Sequence, residues 1–268
     1  MCVYSKKTKT DMKKVLLAIA VILTSLPLWG QQRIEVVSDS TGSRLTIDGT
    51  PFFVKGMNWD YFPIGTNYAY SLWNQPDDVI RAALDSEMTM LRQMGVNAIR
   101  QYSTIPPRWI EYIYSRYGIY TMINHSFGRY GLVAKGVDYS HTDYGLEAIR
   151  EELLRQVDEF VNTYKGTPGV LLYLLGNENN YGLFWSGADT EDIPVASKQA
   201  SDRARSLYRL FNEAARRVKA IDPTRPVAIC NGDLLFIDLI AEECRDIDVL
   251  GINSYRGDSF DVMFRDVK

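Results

Sequence analysis

Apolar positions recur along this chain in two rhythms, and the switches between them mark the elements. Arg44-Leu45-Thr46-Ile47, then Asp48-Gly49, then Phe52-Phe53-Val54, put an Asp-Gly pair between two apolar or alternating runs. That pattern predicts a β-hairpin. A strand is expected over 52–56. Pro76-Asp77-Asp78 then opens a helix, with acids placed near the positive end of its dipole. Ile80, Leu84, Met88, Leu91 and Met94 follow at helical spacing, and Gly95 stops it. A strand over 96–100, a helix from Pro106-Pro107 to Gly118 and a strand over 119–123 continue the alternation.

A longer helix over 146–165 has Ile149, Leu153, Val157, Phe160 and Tyr164 as its stripe and Gly166 behind it. The run 170–175 is apolar at every position, as in a strand buried on both faces of a parallel sheet. A helix over 200–221, a strand over 226–230, a short helix over 234–244 and a strand over 249–252 complete six strand–helix units. Such alternation predicts a parallel sheet with helices outside it, either a (β/α)8 barrel or a doubly wound sheet.

The loop chemistry favours the barrel. Gly56-Met57-Asn58-Trp59-Asp60 after the first strand is not a G-x-G-x-x-G turn, and no P-loop lysine motif occurs. Polar and aromatic residues instead collect where strands end: Asn58-Trp59, Arg100-Gln101-Tyr102, Asn124-His125, Asn177-Glu178, Asn231-Gly232-Asp233 and Asn253-Ser254-Tyr255. Catalytic groups of (β/α)8 barrels lie at that end. The expected fold is therefore an α/β TIM barrel of about six βα units, C-terminally incomplete, with a short N-terminal hairpin.

The N-terminus carries a different signal. Lys13-Lys14 precedes an uncharged run over 15–29, followed by Gln31-Gln32-Arg33. This reads as a secretory signal peptide over 1–30 and a catalytic domain over 31–268. The run is short for a membrane span, which needs about 20 residues. An uncleaved anchor is the alternative. Residues 1–30 hold five lysines and one aspartate, so removing them takes the net charge from −3 to −7. The expected product is periplasmic or secreted, with no stable membrane association and no basic surface for nucleic acid. Two histidines and three cysteines are few for a multi-ligand metal site, and no cofactor is implied. Cys230 and Cys244 fit two buried free thiols better than a disulfide.

Gly176-Asn177-Glu178 is the sharpest chemical feature, an amide and a carboxyl delivered side by side by a buried strand. A carboxyl at the rim of an apolar barrel suits general-acid work, and the neighbouring amide suits a sugar hydroxyl beside the reacting carbon. His125, Asn231 and Asp233 also end strands and are candidate substrate contacts; a structural role is the alternative for each. Trp59, Tyr61 and Trp185 offer flat faces for sugar rings, unless they pack under their own loops. Glu242 and Glu243 fall at the wrong end of their unit for catalysis and read as a solvated helix end.

Four blocks together carry a family resemblance: residues 52–58 with Asn58, 95–100 with Arg100, 176–178, and 251–255 with Tyr255. In this order the chain resembles the clan of retaining β-glycosidases with (β/α)8 barrels. It looks nearest to the glycoside hydrolase family 2 catalytic domain and the family 72 β-1,3-glucanosyltransferases. The resemblance implies that Glu178 is the acid/base and that Asn177 binds the sugar 2-hydroxyl. It implies that Arg100 lies under the nucleophile, that Tyr255 hydrogen-bonds the nucleophile, and that Tyr102 contacts sugar. In that clan the nucleophilic glutamate ends strand seven, beyond the six units found here, so this chain by itself is expected to lack turnover. A hydrolase on β-linked oligo- or polysaccharide is the leading expectation. A β-glucan transglycosylase, a non-catalytic glycan-binding protein and a membrane-tethered structural protein are the alternatives.

Overall fold

The computed structural model describes residues 31–102, 104–184, 197–255 and 259–267. Three strands, β1 (Ile34–Asp39), β2 (Gly42–Ile47) and β3 (Thr50–Pro51), form an antiparallel sheet in the order β1-β2-β3. Strand β1, which the apolar pattern missed, pairs along the whole of β2. Asp48 and Gly49 both have positive φ at the turn between β2 and β3, as the Asp-Gly pair demands.

The main sheet holds β4 (Gly56–Asn58), β5 (Ala98–Gln101), β6 (Tyr120–His125), β9 (Val170–Leu175), β10 (Val227–Gly232) and β11 (Val249–Asn253). A small antiparallel hairpin, β7 (Leu132–Ala134) and β8 (Val137–Tyr139), interrupts the loop after β6. All neighbours in the main sheet are parallel, and their spatial order follows their chain order from β4 to β11. A doubly wound sheet reverses its strand order at a switch point, whereas a barrel does not. The sheet is thus the curled, TIM-barrel-like solution, with β4 and β11 as its outer strands.

Helices α1 (Asp77–Gln93), α2 (Pro107–Tyr117), α3 (Glu147–Tyr164), α4 (Lys198–Ile221), α5 (Ile237–Glu243) and α6 (Asp261–Asp266) follow the strands. Their buried stripes include Ile80, Leu84 and Met88 of α1, Leu153 and Val157 of α3, and Leu207 and Phe211 of α4, packed in one cluster with the outer face of the sheet. Each fully buried side chain of this size contributes roughly 1.5–3 kcal/mol. Met94 departs from its expected place: α1 ends at Gln93, so Met94 sits at the C-cap, 66% exposed. Among the described residues no helix is long and apolar enough to cross a membrane. The expected signal segment 1–30 lies outside the described residues.

The inner face has two apolar clusters. Leu171, Ala98 and Tyr120 pack with Ile34, Leu45, Ile47, Phe52 and Val54, so the N-terminal sheet plugs the base of the curl. This is why the expected strand over 52–56 forms differently. Phe52 and Val54 turn into the plug, and the parallel ladder starts only at Gly56, opposite Ala98. Higher up, Leu172, Leu174, Ala228 and Cys230 line the concave face. A register shift between Thr121 and Met122 lets Leu171 and Leu172, consecutive on β9, both serve the inner clusters.

Cys230 and Cys244 are both buried and both free. Glu242 and Glu243 lie against Arg205, and Glu243 also meets Arg209, away from the strand ends.

Candidate active site

The buried strand β9 ends in a loop that its own side chains hold rigid. Gly176 takes φ +77° and donates its N–H to His125 O at 2.8 Å. Glu178 also has a positive φ, +54°, and its N–H reaches Cys230 O at 2.8 Å. A left-handed glutamate costs energy that surrounding bonds must offset. Asn179 and Asn180 supply them. Asn179 Oδ1 accepts from Asn177 N at 2.8 Å, and its Nδ2 donates to Phe127 O and to Tyr144 Oη, each at 2.9 Å. Asn180 exchanges two hydrogen bonds with the backbone of Gly232. The loop is thus fastened to the segment after β6 on one side and to β10 on the other. Sequence reasoning passed over these two residues. The run of amides Asn177 to Asn180 straight after a buried strand was the signal.

The side chains at the mouth form one network. Arg100 Nη2 donates to Asn177 Oδ1 at 2.7 Å and to Asn124 Oδ1 at 3.2 Å. Its Nη1 reaches Cys230 Sγ at 3.5 Å, and its guanidinium lies 4.7 Å from the Tyr102 ring centre. Asn253, at the end of β11, donates through Nδ2 to Glu178 Oε1 at 2.8 Å and to Asn177 Oδ1 at 3.2 Å. The Cys230 thiol donates to Asn253 Oδ1 at 2.9 Å. Since the Asn177 carbonyl takes these donors, its Nδ2 is the end left to donate elsewhere. Burial raises the Cys230 thiol, against the opposing pull of Arg100. Burial also raises the Tyr102 phenol.

Other expected site residues fall in different places. Trp59 is only 6% exposed; its ring is tilted against Trp73 and its Nε1 points to Glu87 at 3.4 Å, so its faces meet protein. His125 lies beside Phe160, and its Nδ1 accepts from Phe127 N at 3.1 Å; burial lowers it to about 4. Asn231 is buried, accepting from Tyr208 Oη at 2.8 Å and donating to Asp233 O and Leu235 O, which pins the loop after β10. Asp233 accepts from Leu234 N within that loop. Asn58 is exposed at the end of the outer strand β4, and Tyr255 is 90% exposed beyond β11. Trp185 lies outside the described residues.

A cleft of about 730 Å³ reaches Asn177 from the side of β4 to β6. Tyr61, Phe62, Tyr68 and Tyr70 wall it from the loop after β4, Tyr102 from the end of β5, and Tyr130 from the loop after β6. Asn124 and Ser126 add hydroxyl and amide groups at its floor. Of these aromatic residues, Tyr61 and Tyr102 were expected from the sequence. The density of rings in residues 59–73 pointed to Phe62, Tyr68 and Tyr70, but not to Tyr130.

Fold and site together define a barrel-type α/β chain with a rigidly held Asn-Glu pair at a strand end. No protein-family model matches the chain. It is similar to the probable 1,3-beta-glucanosyltransferase GAS3 of Saccharomyces cerevisiae, 30% identical over 148 residues, covering 53% of this chain and 26% of that protein. Its fold is shared with β-glucuronidases. One from Parabacteroides merdae, solved with glycerol in its active site, aligns with TM-score 0.54 and 16% identity over 87% of this chain and 24% of that one. Bacteroides uniformis β-glucuronidase 2, covalently bound to a cyclophellitol-6-carboxylate aziridine, aligns with TM-score 0.58 and 13% identity over 84% and 23%. The chain spans about a quarter of the length of these proteins. At such identities the structural likeness speaks for the fold. It agrees with the glycosidase-clan resemblance in the sequence blocks.

Proposed function

We propose that this chain is the N-terminal part of the catalytic barrel of an exported enzyme acting on β-linked glycans with retention of configuration. The observation that carries the reading is the held pair of Asn177 and Glu178, tied together by Asn253 at a strand end and next to an aromatic cleft. Glu178 protonates the glycosidic oxygen as the bond to the anomeric carbon breaks. Asn177 Nδ2 donates to the sugar 2-hydroxyl, a bond that strengthens as positive charge develops on the ring. A second carboxylate, about 5 Å from Glu178, attacks the anomeric carbon. It is supplied by a strand beyond β11. Glu178 then takes a proton from water, or from a sugar hydroxyl, as the glycosyl–enzyme bond breaks. The likeness to a glucanosyltransferase favours the sugar hydroxyl as acceptor.

The test uses the protein extended through its native downstream sequence. Glu178→Ala is expected to cripple glycosides with poor leaving groups far more than activated aryl glycosides, because a good leaving group needs little protonation. Azide is expected to restore turnover of the activated substrate and give a β-glycosyl azide. Equal losses on both substrates without rescue would exclude the acid/base role. Product analysis with an acceptor sugar separates transfer from hydrolysis. Export is tested by sequencing the N-terminus of secreted protein, expected near Gln31.

A further inference from the structure

We infer that Cys230 is a positioning residue, the link in a chain of hydrogen bonds that runs from Arg100 through Asn253 and sets which oxygen of Glu178 carries the proton. This role rests on the proposed acid/base function of Glu178. Four side chains close a ring: Arg100 on β5, Cys230 on β10, Asn253 at the end of β11 and Asn177 in the loop after β9. A guanidinium has only N–H donors, so the direction of every bond in the ring follows from it. Arg100 Nη1 donates to Cys230 Sγ at 3.5 Å, which makes the sulfur the acceptor on that side and turns its S–H toward Asn253. The S–H donates to Asn253 Oδ1 at 2.9 Å. The amide nitrogen of Asn253 then faces the other way, donating to Glu178 Oε1 at 2.8 Å and to Asn177 Oδ1 at 3.2 Å. Arg100 Nη2, at 2.7 Å from that same Asn177 oxygen, closes the ring.

An asparagine amide presents a donor or an acceptor according to which way it is turned. With Nδ2 on Oε1, that oxygen is held as an acceptor, and the carboxyl proton sits on Oε2, the oxygen outside the ring. That is the proton passed to the glycosidic oxygen as its bond to the anomeric carbon breaks. Turned over, the amide would set Oδ1 against Oε1 and draw the proton there, where it is shared with Asn253 rather than with substrate. Two contacts oppose the turn: the Cys230 thiol at Oδ1 and the Asn177 oxygen at Nδ2. Cysteine suits this place. Its side chain packs with Leu172, Leu174 and Ala228 on the apolar inner face, yet its sulfur both accepts and donates. Burial raises the thiol, so at neutral pH it keeps the proton it donates. The Cys230 carbonyl also accepts from Glu178 N at 2.8 Å. That bond does not involve the side chain, so substitution at this position tests the thiol.

The experiment places Cys230→Val, Cys230→Ala and Cys230→Ser in the full-length protein, each with and without Asn253→Ala. It measures kcat/KM on glycosides with poor and with activated leaving groups. Valine keeps the bulk and removes the donor. It is expected to lower kcat/KM on poor leaving groups roughly threefold to tenfold and to leave activated aryl glycosides within about twofold. Alanine should do the same, so the comparison stands if the valine variant fails to fold. Serine restores a donor and should recover most of the loss. In the Asn253→Ala background the valine substitution should cost nothing further, because the thiol acts through that amide. Losses that multiply in the double variant, equal losses on both kinds of glycoside, or a serine variant no better than alanine would overturn the inference. The same assays on Glu178→Ala decide the proposed function separately. Leaving-group dependence and azide rescue there, with Cys230 losses that multiply, keep that reading and remove this one. Neither of them in Glu178→Ala removes the reading, and this inference with it.

Discussion

Asn253 Nδ2 donates to Glu178 Oε1 across 2.8 Å although the two residues stand 75 positions apart, one at the end of β11 and the other in the loop after β9, strands that are not neighbours. The bond crosses over β10, whose Cys230 thiol holds the other end of the same amide. The carboxylate is thereby aimed by a side chain with a fixed rotamer. Asn253→Ala removes the donor to Glu178 and Asn177 and strands the Cys230 thiol. In the full-length protein it is expected to lower kcat on poor leaving groups roughly tenfold, with a smaller loss on activated ones. The cost in stability is expected at about 1–3 kcal/mol by urea titration. An equal rate loss on both substrate types would mean that Asn253 does not act through Glu178.

Gly176 is the hinge on which the pair is mounted. A Cβ there would overlap the Asn179 side chain and lie 2.9 Å from Phe211 Cζ, at a backbone φ of +77°. Gly166 has nearly the same φ, +78°, with nothing within 4 Å of its would-be Cβ. Gly166→Ala therefore measures backbone strain alone, about 1–2 kcal/mol. Gly176→Ala adds the displacement of Asn179 and is expected to cost about 2 kcal/mol more. Thermal melts of the two variants give the difference; equal losses would mean that the Asn179 brace gives way without resistance.

The buried imidazole of His125 makes stability fall in mild acid. Burial lowers its pKa to about 4 in the folded chain, and His141 is shifted the same way by burial and by Arg203. The unfolded chain binds the proton first, near pH 6.5. Stability is therefore full above about pH 6.5 and declines as pH falls toward about 4. His125→Gln is expected to remove on the order of 1–3 kcal/mol of that decline, read from urea midpoints at pH 7.5 and 4.5. A variant that loses as much as the wild type between those two values would assign the decline to other groups.

Cys230 and Cys244 are buried, and burial raises both thiols, Cys244 to about 12. Thiolate is the reactive form, so both are expected to resist an aromatic disulfide reagent at pH 8 in the folded protein and to react at once in denaturant. Mass spectrometry of the labelled peptides checks each site separately. Labelling of Cys230 in the native state would mean that the mouth of the sheet opens more than its hydrogen bonds indicate.

Periodicity alone located most of the frame. The apolar run 170–175 became β9 with the same limits, and the stripes of α1, α3 and α4 lie inward where their spacing put them. These signals are local: a buried strand or a helix face writes its period into adjacent residues. The hairpin β7–β8 was missed although Lys135-Gly136 turns it, because three-residue strands carry too little alternation to read. The polar ends of the strands marked the face that carries the candidate site, and Asn177-Glu178 stood out there for the same local reason.

What the residues do for one another was decided only by the fold. Trp59 and Asn231 have the same look in sequence as Tyr61 and Asn177, yet packing sends the first two inward and leaves the others at the cleft. Sheet order places Asn253 opposite Glu178 and Arg100 beside Asn177, pairings separated by 75 and 77 residues. The sequence by itself determined most strands and helices of the main sheet, and which residue types stand at their ends, since both follow from local periodicity and turn chemistry; β1 and the β7–β8 hairpin escaped it. Burial, left-handed backbone at Glu178 and the aim of each side chain came from contacts between distant segments, and these exist only once the sheet has curled.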